Sequence, residues 1–275
     1  TKDRIVDFLN YLENNRNNSI STRNSRLAAI HSFFKYLQYE YPDYIDEYTK
    51  ILNIPFKKAK TKQMSYLTVE EMIKLIGVID KSNKYGYRDY MIILLMYESA
   101  IRVSELINVR LIDFRFSKPY SIKIVGKGNK QRYVPLSEQF IEKVQEYVLS
   151  LNNKKLETDF LFTNHSNNKL TRAGVSHILN KYVIIAKKNN PSLFKENVTP
   201  HTLRHTKAMH LLQDDVNLIY IRDVLGHSSI QTTEIYARAD SARLRQAIEK
   251  SYKELSTETK CEWQEEEIIN WLKSF

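Results

Sequence analysis

The stretch from Tyr90 to Tyr97 constrains the fold more than any other part of this sequence. Every residue in it is apolar or aromatic, and the surrounding segment, residues 86–98, is predicted to be a helix too hydrophobic to remain in water. The stretch is far shorter than the roughly 20 apolar residues of a membrane-spanning helix. We therefore expect a central buried helix in a globular protein that does not bind membranes.

The rest of the chain is predicted to be mainly helical around a small sheet. Six Gly and six Pro in 275 residues are too few for an all-β chain full of tight turns. A capping box at Thr68–Glu71 opens a helix, and residues 121–125 and 131–135 alternate like antiparallel strands joined by a turn at 126–130. Further helices are predicted at about 4–14, 21–39 (capped by Ser21), after Pro42, and at 138–150, 171–188, 201–212 and 217–225, with a short strand near 160–162.

The fold class is thus mainly α with a small antiparallel β-sheet (α+β), and four segments are predicted. Residues 1–54 form a helical domain, 55–66 a basic linker, 67–257 a larger domain and 258–275 a C-terminal helix. The linker either is merely solvated or lies along a phosphate backbone. Its lysines are Lys57, Lys58, Lys60 and Lys62.

Charge and cysteine content indicate the environment and the partner. The net charge is +10, its basic excess lies in residues 1–240, and a polyanion is the expected partner. Cys261 is the single cysteine, and the first residues are too charged for a signal peptide. We expect a reduced, cytoplasmic protein without a structural metal.

Two cationic side chains follow or interrupt predicted elements. Arg102 comes directly after the buried helix, where it needs an anion, either Glu105 or a ligand phosphate. Lys127 lies between Gly126 and Gly128 on the strand connection, where an amine suits proton donation or phosphate contact.

A second pair of cationic residues opens the helix predicted at 201–212. His201 and Arg204 share a face, and the helix N-terminus favours an anion. His201 and His205 also have the i, i+4 spacing of a metal pair, but position 202 is Thr, so a metallopeptidase motif is incomplete.

The last candidates follow the helix predicted at 217–225. Gly226 fits a helix C-cap, His227 begins a new segment, and Tyr236 lies nine residues beyond it. Two arginines, two histidines and a lysine form an anion-stabilising set beside a hydroxyl nucleophile, as phosphoryl transfer requires.

Four motifs resemble the signature boxes of tyrosine recombinases, the phage-integrase family. They are residues 100–106, 126–136, 201–205 and 225–236, in the family's order and spacing. The resemblance covers about residues 1–255. It implies a core-binding domain and a catalytic domain, joined by the linker. Ala100 stands where the family often has Gly, and the first domain is shorter than usual.

The resemblance implies that Tyr236 attacks the scissile phosphate and forms a 3′-phosphotyrosyl link. It implies that Arg102 and Arg204 bind the non-bridging oxygens of that phosphate. No ATP is implied, since the covalent ester conserves the bond energy.

The remaining members of the set are expected to move protons and hold the phosphate. By resemblance, Lys127 protonates the departing 5′ oxygen, His201 assists proton transfer and His227 hydrogen-bonds the phosphate. No metal or other cofactor is implied.

The implied partner is double-stranded DNA with inverted-repeat core sites, bound by dimers and tetramers, with an accessory excision factor as a further partner. A prokaryotic, nucleoid-associated enzyme that moves a mobile element is the main interpretation. The alternatives are a resolvase of chromosome dimers, a type IB topoisomerase-like enzyme and a non-catalytic DNA-binding regulator.

The predicted C-terminal helix favours a recombinase that assembles from several protomers over a topoisomerase that acts as a monomer. Its apolar stripe lies beside acidic residues 265–267, so we expect it to dock on a neighbouring protomer; packing on its own domain is the alternative. The stripe consists of Ile268, Trp271, Leu272 and Phe275.

Overall fold

The chain divides into two compact units, Thr1–Gln63 and Met64–Phe275. A computed structural model shows a mainly helical fold with a three-stranded antiparallel sheet, which confirms the predicted α+β class. Among the described residues, no helix is long and apolar enough to cross a membrane. The structure describes residues 1–59, 64–151, 156–194, 197–226, 229, 232–234 and 236.

In the described part of the first unit, residues 1–59, three α-helices pack around a small apolar core. They are α1 (Lys2–Asn14), α2 (Ile20–Glu40) and α3 (Ile45–Leu52), and a 3₁₀ turn (Pro42–Tyr44) precedes α3. The helices agree with the prediction, and Phe33 of α2 is 56% exposed. The buried core residues are Leu9, Leu27, Ile51 and Ile54.

The N-cap of α2 differs from the prediction. Ser19 has an extended backbone, and its hydroxyl accepts a hydrogen bond from the Thr22 N–H at 3.2 Å. Ser21 already lies inside the first turn, so its predicted role as the cap was wrong. An N-cap hydroxyl reaches the N–H two or three residues ahead, and Ser19 has that geometry.

Residues 55–59 have no regular secondary structure. Lys57 is tied to the first unit, because its Nζ lies 2.7 Å from Glu13 Oε2 and its backbone exchanges two hydrogen bonds with the Asn24 amide. Lys58 is exposed. Lys60 and Lys62 lie outside the described residues.

The second unit is built around α5 (Lys84–Glu98), which contacts helices on several sides. Residues 90–96 are all buried, which confirms the central helix predicted from the apolar stretch. The Thr68–Glu71 capping box is also present. The surrounding helices are α4 (Val69–Gly77), α6 (Val103–Leu106), α7 (Glu138–Ser150), α8 (Arg172–Asn189), α9 (Pro200–Gln213) and α10 (Leu218–Leu225).

The sheet has the order β1 (Phe114–Arg115), β2 (Ser121–Val125), β3 (Gln131–Pro135). The two predicted strands have the predicted bounds, whereas the two-residue β1 was not predicted. The expected strand near 160–162 was wrong: Phe160 forms an isolated bridge with Arg110. A 3₁₀ turn follows Arg110 at once, so the pairing cannot extend into a ladder.

Helix α9 holds both backbone polar groups of Leu67, near the start of the second unit. The Leu67 N–H donates to Thr206 Oγ1 at 2.9 Å, and its carbonyl lies 3.0 Å from His210 Nε2. A carbonyl can only accept, so His210 Nε2 carries the proton and Nδ1 accepts from the Tyr97 hydroxyl at 2.9 Å. Burial lowers the pKa of His210, which favours this neutral form.

We predict that Thr206→Val destabilises the second unit, because it leaves the buried Leu67 N–H without its acceptor. The expected loss is about 1–3 kcal/mol of unfolding free energy, measured by urea denaturation. Ser176→Ala is the control, since Ser176 is exposed and bonds only back to the Arg172 carbonyl within α8. Equal stability of Thr206→Val and the control would contradict this account of the contact.

Candidate active site

Arg102 lies between the end of α5 and the start of α6. Ala100, fully buried, has φ +47°, a left-handed conformation that costs a non-glycine residue roughly 1–2 kcal/mol. This cost gives a physical reason for glycine at such a position. Arg102 then caps α6, and its side chain remains about one-third exposed.

Glu105 is a buried carboxylate that two arginines share. Arg102 donates to it from its backbone N–H and from Nη1, both at 3.0 Å. Arg132 binds it through two guanidinium nitrogens at 3.0 and 2.8 Å. Burial raises the pKa of Glu105, but the hydrogen bonds and charges of these arginines outweigh burial and hold that pKa below its ordinary value. Glu105, one of the two anions predicted to pair with Arg102, is therefore bound to it.

Arg204 projects from α9 and is buried. Its Nη1 donates to the Ala100 carbonyl at 2.7 Å, and its Nη2 donates to the Leu225 carbonyl. Burial lowers the pKa of Arg204 to about 10, and the charges of Arg102 and Arg132 act in the same direction. Arg204 nonetheless stays charged near neutral pH.

The three arginines also meet at the C-terminal end of α10. Arg132 Nε donates to the Val224 carbonyl at 3.1 Å, Arg204 to Leu225, and Arg102 Nη2 to Gly226 at 3.4 Å. Carbonyls at a helix C-terminus carry partial negative charge, which favours cations. These contacts orient the guanidinium groups without neutralising them, so the cluster keeps more positive charge than Glu105 can balance.

Tyr236 lies beside this cluster. It is 1% exposed and packs with Ala100, Met209 and Leu225, and its hydroxyl lies 2.9 Å from His205 Nδ1. Burial raises the pKa of Tyr236, and the charges of Arg204 and Arg102 oppose that rise. The hydroxyl of a fully buried tyrosine thus lies at hydrogen-bond distance from a histidine, close enough to Arg204 and Arg102 for their charges to act on its pKa.

His201 lies in the first turn of α9, after Pro200 at the first helical position, and is exposed. Its ring centre lies 6.5 Å from that of His205. Within the described part of the chain, no three His, Cys, Asp or Glu side chains are grouped as metal ligands.

The structure thus brings together Arg102, Arg204 and Tyr236, whereas His201 lies exposed one helical turn before His205, with the two ring centres 6.5 Å apart. Lys127 lies in the 3₁₀ turn Lys127–Asn129 between β2 and β3, but its side chain is not among those described. His227 lies outside the described residues. The catalytic roles of all six residues remain predictions.

Sequence reasoning assigned no role to Arg132 and considered His205 only as half of a metal pair. A signal for Arg132 existed in the strand pattern, because Arg132 lies two residues from buried Val134 and opposite buried Ile124. A cation on the inward face of a strand needs an anion.

Residues 65–243 match the model of the phage integrase family. The chain belongs to this family, the tyrosine recombinases. The recombinase is 34% identical over 231 residues to tyrosine recombinase XerD of Staphylococcus haemolyticus, covering 83% of this chain and 74% of XerD. It is also 34% identical over 250 residues to XerA of Pyrococcus horikoshii, covering 89% of this chain and 79% of XerA.

A solved structure agrees with these relatives. The XerH site-specific recombinase in its post-cleavage complex with palindromic difH substrate has a TM-score of 0.71 and 27% identity, over 89% of this chain and 71% of XerH. The protein is accordingly a site-specific DNA recombinase that cuts and rejoins DNA through a tyrosine intermediate.

We predict that Gly226→Ala destabilises the recombinase. Gly226 has φ +63°, and a Cβ there would lie 2.9 Å from Arg132 Cδ. The left-handed backbone alone costs roughly 1–2 kcal/mol, measured as unfolding free energy, and displacement of Arg132 should also slow DNA cleavage.

Gly77→Ala is the matched control, because nothing lies within 4 Å of its added Cβ and its φ is not positive. This change should leave cleavage unchanged and stability equal or slightly higher. If both variants behave alike, the left-handed cap does not constrain the cluster.

Proposed function

We propose that Tyr236 is the nucleophile of this recombinase and that Arg102 and Arg204 bind the scissile phosphate. The observation that carries the proposal is the excess of guanidinium charge beside the Tyr236 hydroxyl. Phosphoryl transfer requires neutralised non-bridging oxygens and an aligned nucleophile. Arg102 is partly exposed and retains donors beyond those on Glu105, so it can bind a phosphate oxygen without leaving its carboxylate.

The leaving 5′ oxygen needs a proton, and we assign its donation to Lys127. The assignment is supported by the resemblance and by the position of Lys127 in a turn between two strands. His201 assists proton transfer and His227 hydrogen-bonds the phosphate. The reaction proceeds without metal or ATP, because arginines neutralise the phosphate and the tyrosyl ester retains the bond energy.

The nucleophile is tested by Tyr236→Phe, which removes one hydroxyl. The variant should bind target DNA as the wild type does but form no covalent adduct on a nicked substrate, as followed by denaturing electrophoresis. Tyr220→Phe, at an exposed tyrosine on α10, should still form the adduct. Adduct formation by Tyr236→Phe would mean that another group attacks.

The proton donor is tested by Lys127→Ala. This variant should cleave a normal phosphodiester more slowly by about 10²–10⁴-fold, the usual contribution of general acid catalysis. A 5′-bridging sulfur leaves without a proton, so that substrate should restore the rate. Lys130→Ala, at an exposed lysine three residues along, should cleave both substrates normally, and equal defects of Lys127→Ala on both would contradict the assignment.

We further propose that the recombinase integrates or excises a mobile element, with resolution of chromosome dimers as the alternative. A relative from Sinorhizobium fredii, 34% identical over 247 residues, is described as an integrase/recombinase, whereas others are Xer recombinases. Short inverted repeats flanking the gene would favour the mobile element. Their absence, with a target site elsewhere in the chromosome, would favour the resolvase.

Assembly on DNA completes the proposal. The protein binds inverted-repeat core sites as dimers and tetramers, forms a Holliday junction, and acts at the nucleoid in a prokaryotic cytoplasm, with an accessory factor for excision.

Each segment of the chain has a part in this assembly. Residues 1–54 bind the core site, and the linker 55–66 follows the DNA backbone. Residues 258–275, which follow the catalytic domain (67–257) and lie outside the described part, dock on a neighbouring protomer. Lys57, Lys58, Lys60 and Lys62 contact phosphates, Lys57 by exchanging its partner Glu13.

A further inference from the structure

The Tyr236 hydroxyl is in contact with a nitrogen base. His205 Nδ1 lies 2.9 Å from it, which is hydrogen-bond distance for proton transfer. His205 follows Arg204 directly on α9 and lies one helical turn after His201. The same helix therefore supplies an arginine for the phosphate and a histidine on the hydroxyl beside it.

The surroundings of His205 keep its ring neutral. Burial lowers the pKa of His205, and the charges of His201 and Arg204 on its own helix lower it further. Tyr236, in the segment that follows α10, contacts the His205 ring through its hydroxyl. The charges of Arg204 and Arg102 act to lower the pKa of that tyrosine. In the Nε2–H tautomer, neutral His205 presents a lone pair from Nδ1 to the hydroxyl.

A buried tyrosine cannot attack a phosphate efficiently while it keeps its proton. Its ordinary pKa is near 10, and burial raises the pKa of Tyr236. The proton must pass to an acceptor as the oxygen approaches phosphorus.

We propose that His205 is a catalytic residue that accepts the phenolic proton of Tyr236 during strand cleavage. The inference rests on Tyr236 being the nucleophile. The bond from phosphorus to the Tyr236 oxygen forms while the bond from phosphorus to the 5′ oxygen breaks. The phenolic proton passes to His205 Nδ1, and the 5′ oxygen receives a separate proton from the acid, assigned above to Lys127. In religation each proton returns by the reverse path.

His205→Asn tests the step, because an amide can keep a hydrogen bond to the hydroxyl but is not a useful base. Adduct formation on a nicked substrate in single turnover should slow by about 10²–10⁴-fold, with unchanged DNA binding. His205→Ala should behave alike and recover part of its rate in added neutral imidazole. His177→Asn, at an exposed histidine on α8, should match the wild type.

The pH dependence provides a second readout. Since His205 must be neutral, the wild-type rate should fall as pH drops through a pKa below the ordinary 6.5. His205→Asn should lose this limb and its rate should rise with hydroxide, whereas His201→Asn should keep the limb. If the His205 variants lose DNA binding, the pH profiles of the wild type and of His201→Asn decide the question. Loss of the low-pH fall in rate in His201→Asn would mean that this fall reports the titration of His201, which would contradict the proposal.

Other outcomes are distinct. Wild-type rate and pH profile in His205→Asn would overturn the proposal, and so would faster cleavage, which would mean that the contact restrains Tyr236. A slower rate with the acid limb intact and no imidazole rescue would make His205 a positioning residue. Adduct formation by Tyr236→Phe would instead refute the proposed nucleophile itself.

Discussion

The site depends on guanidinium groups held by backbone carbonyls instead of by an equal number of carboxylates. Arg102, Arg132 and Arg204 each donate to one of three successive carbonyls at the end of α10, and Glu105 is the carboxylate bound to two of them. Carbonyl oxygens carry partial charge only, so they fix orientation and leave net positive charge. That remaining charge is what a phosphate can neutralise.

The fold brings these groups together from separate elements. The buried helix α5 ends just before Arg102, β3 carries Arg132, α9 carries Arg204, and the left-handed Gly226 ends α10. Apart from the Arg102–Glu105 pair, which is three residues apart, these contacts join parts of the chain that lie 21 to 124 residues apart in sequence. Preorganisation of this kind avoids reorganisation of dipoles when charge develops on the phosphate.

The sequence predicts the periodic elements well and the contacts between them poorly. The apolar stretch in α5 and the alternation in β2 and β3 are strong local patterns, and they were confirmed. The two-residue β1, the Phe160 bridge and the choice of Ser19 over Ser21 depend on local geometry that composition does not carry. Arg102 and Arg204 could be named from motifs, whereas the roles of Arg132 and His205 depend on partners at Glu105 and Tyr236 that only the folded chain brings near.

The most direct test of the arginine account is the structure of Tyr236→Phe bound to uncleaved target DNA. The account predicts that the non-bridging oxygens of the scissile phosphate lie about 2.7–3.2 Å from guanidinium nitrogens of Arg102 and Arg204, while Arg132 stays on Glu105. A phosphate held away from these two arginines, or bridged to the protein by a metal ion in their place, would contradict it.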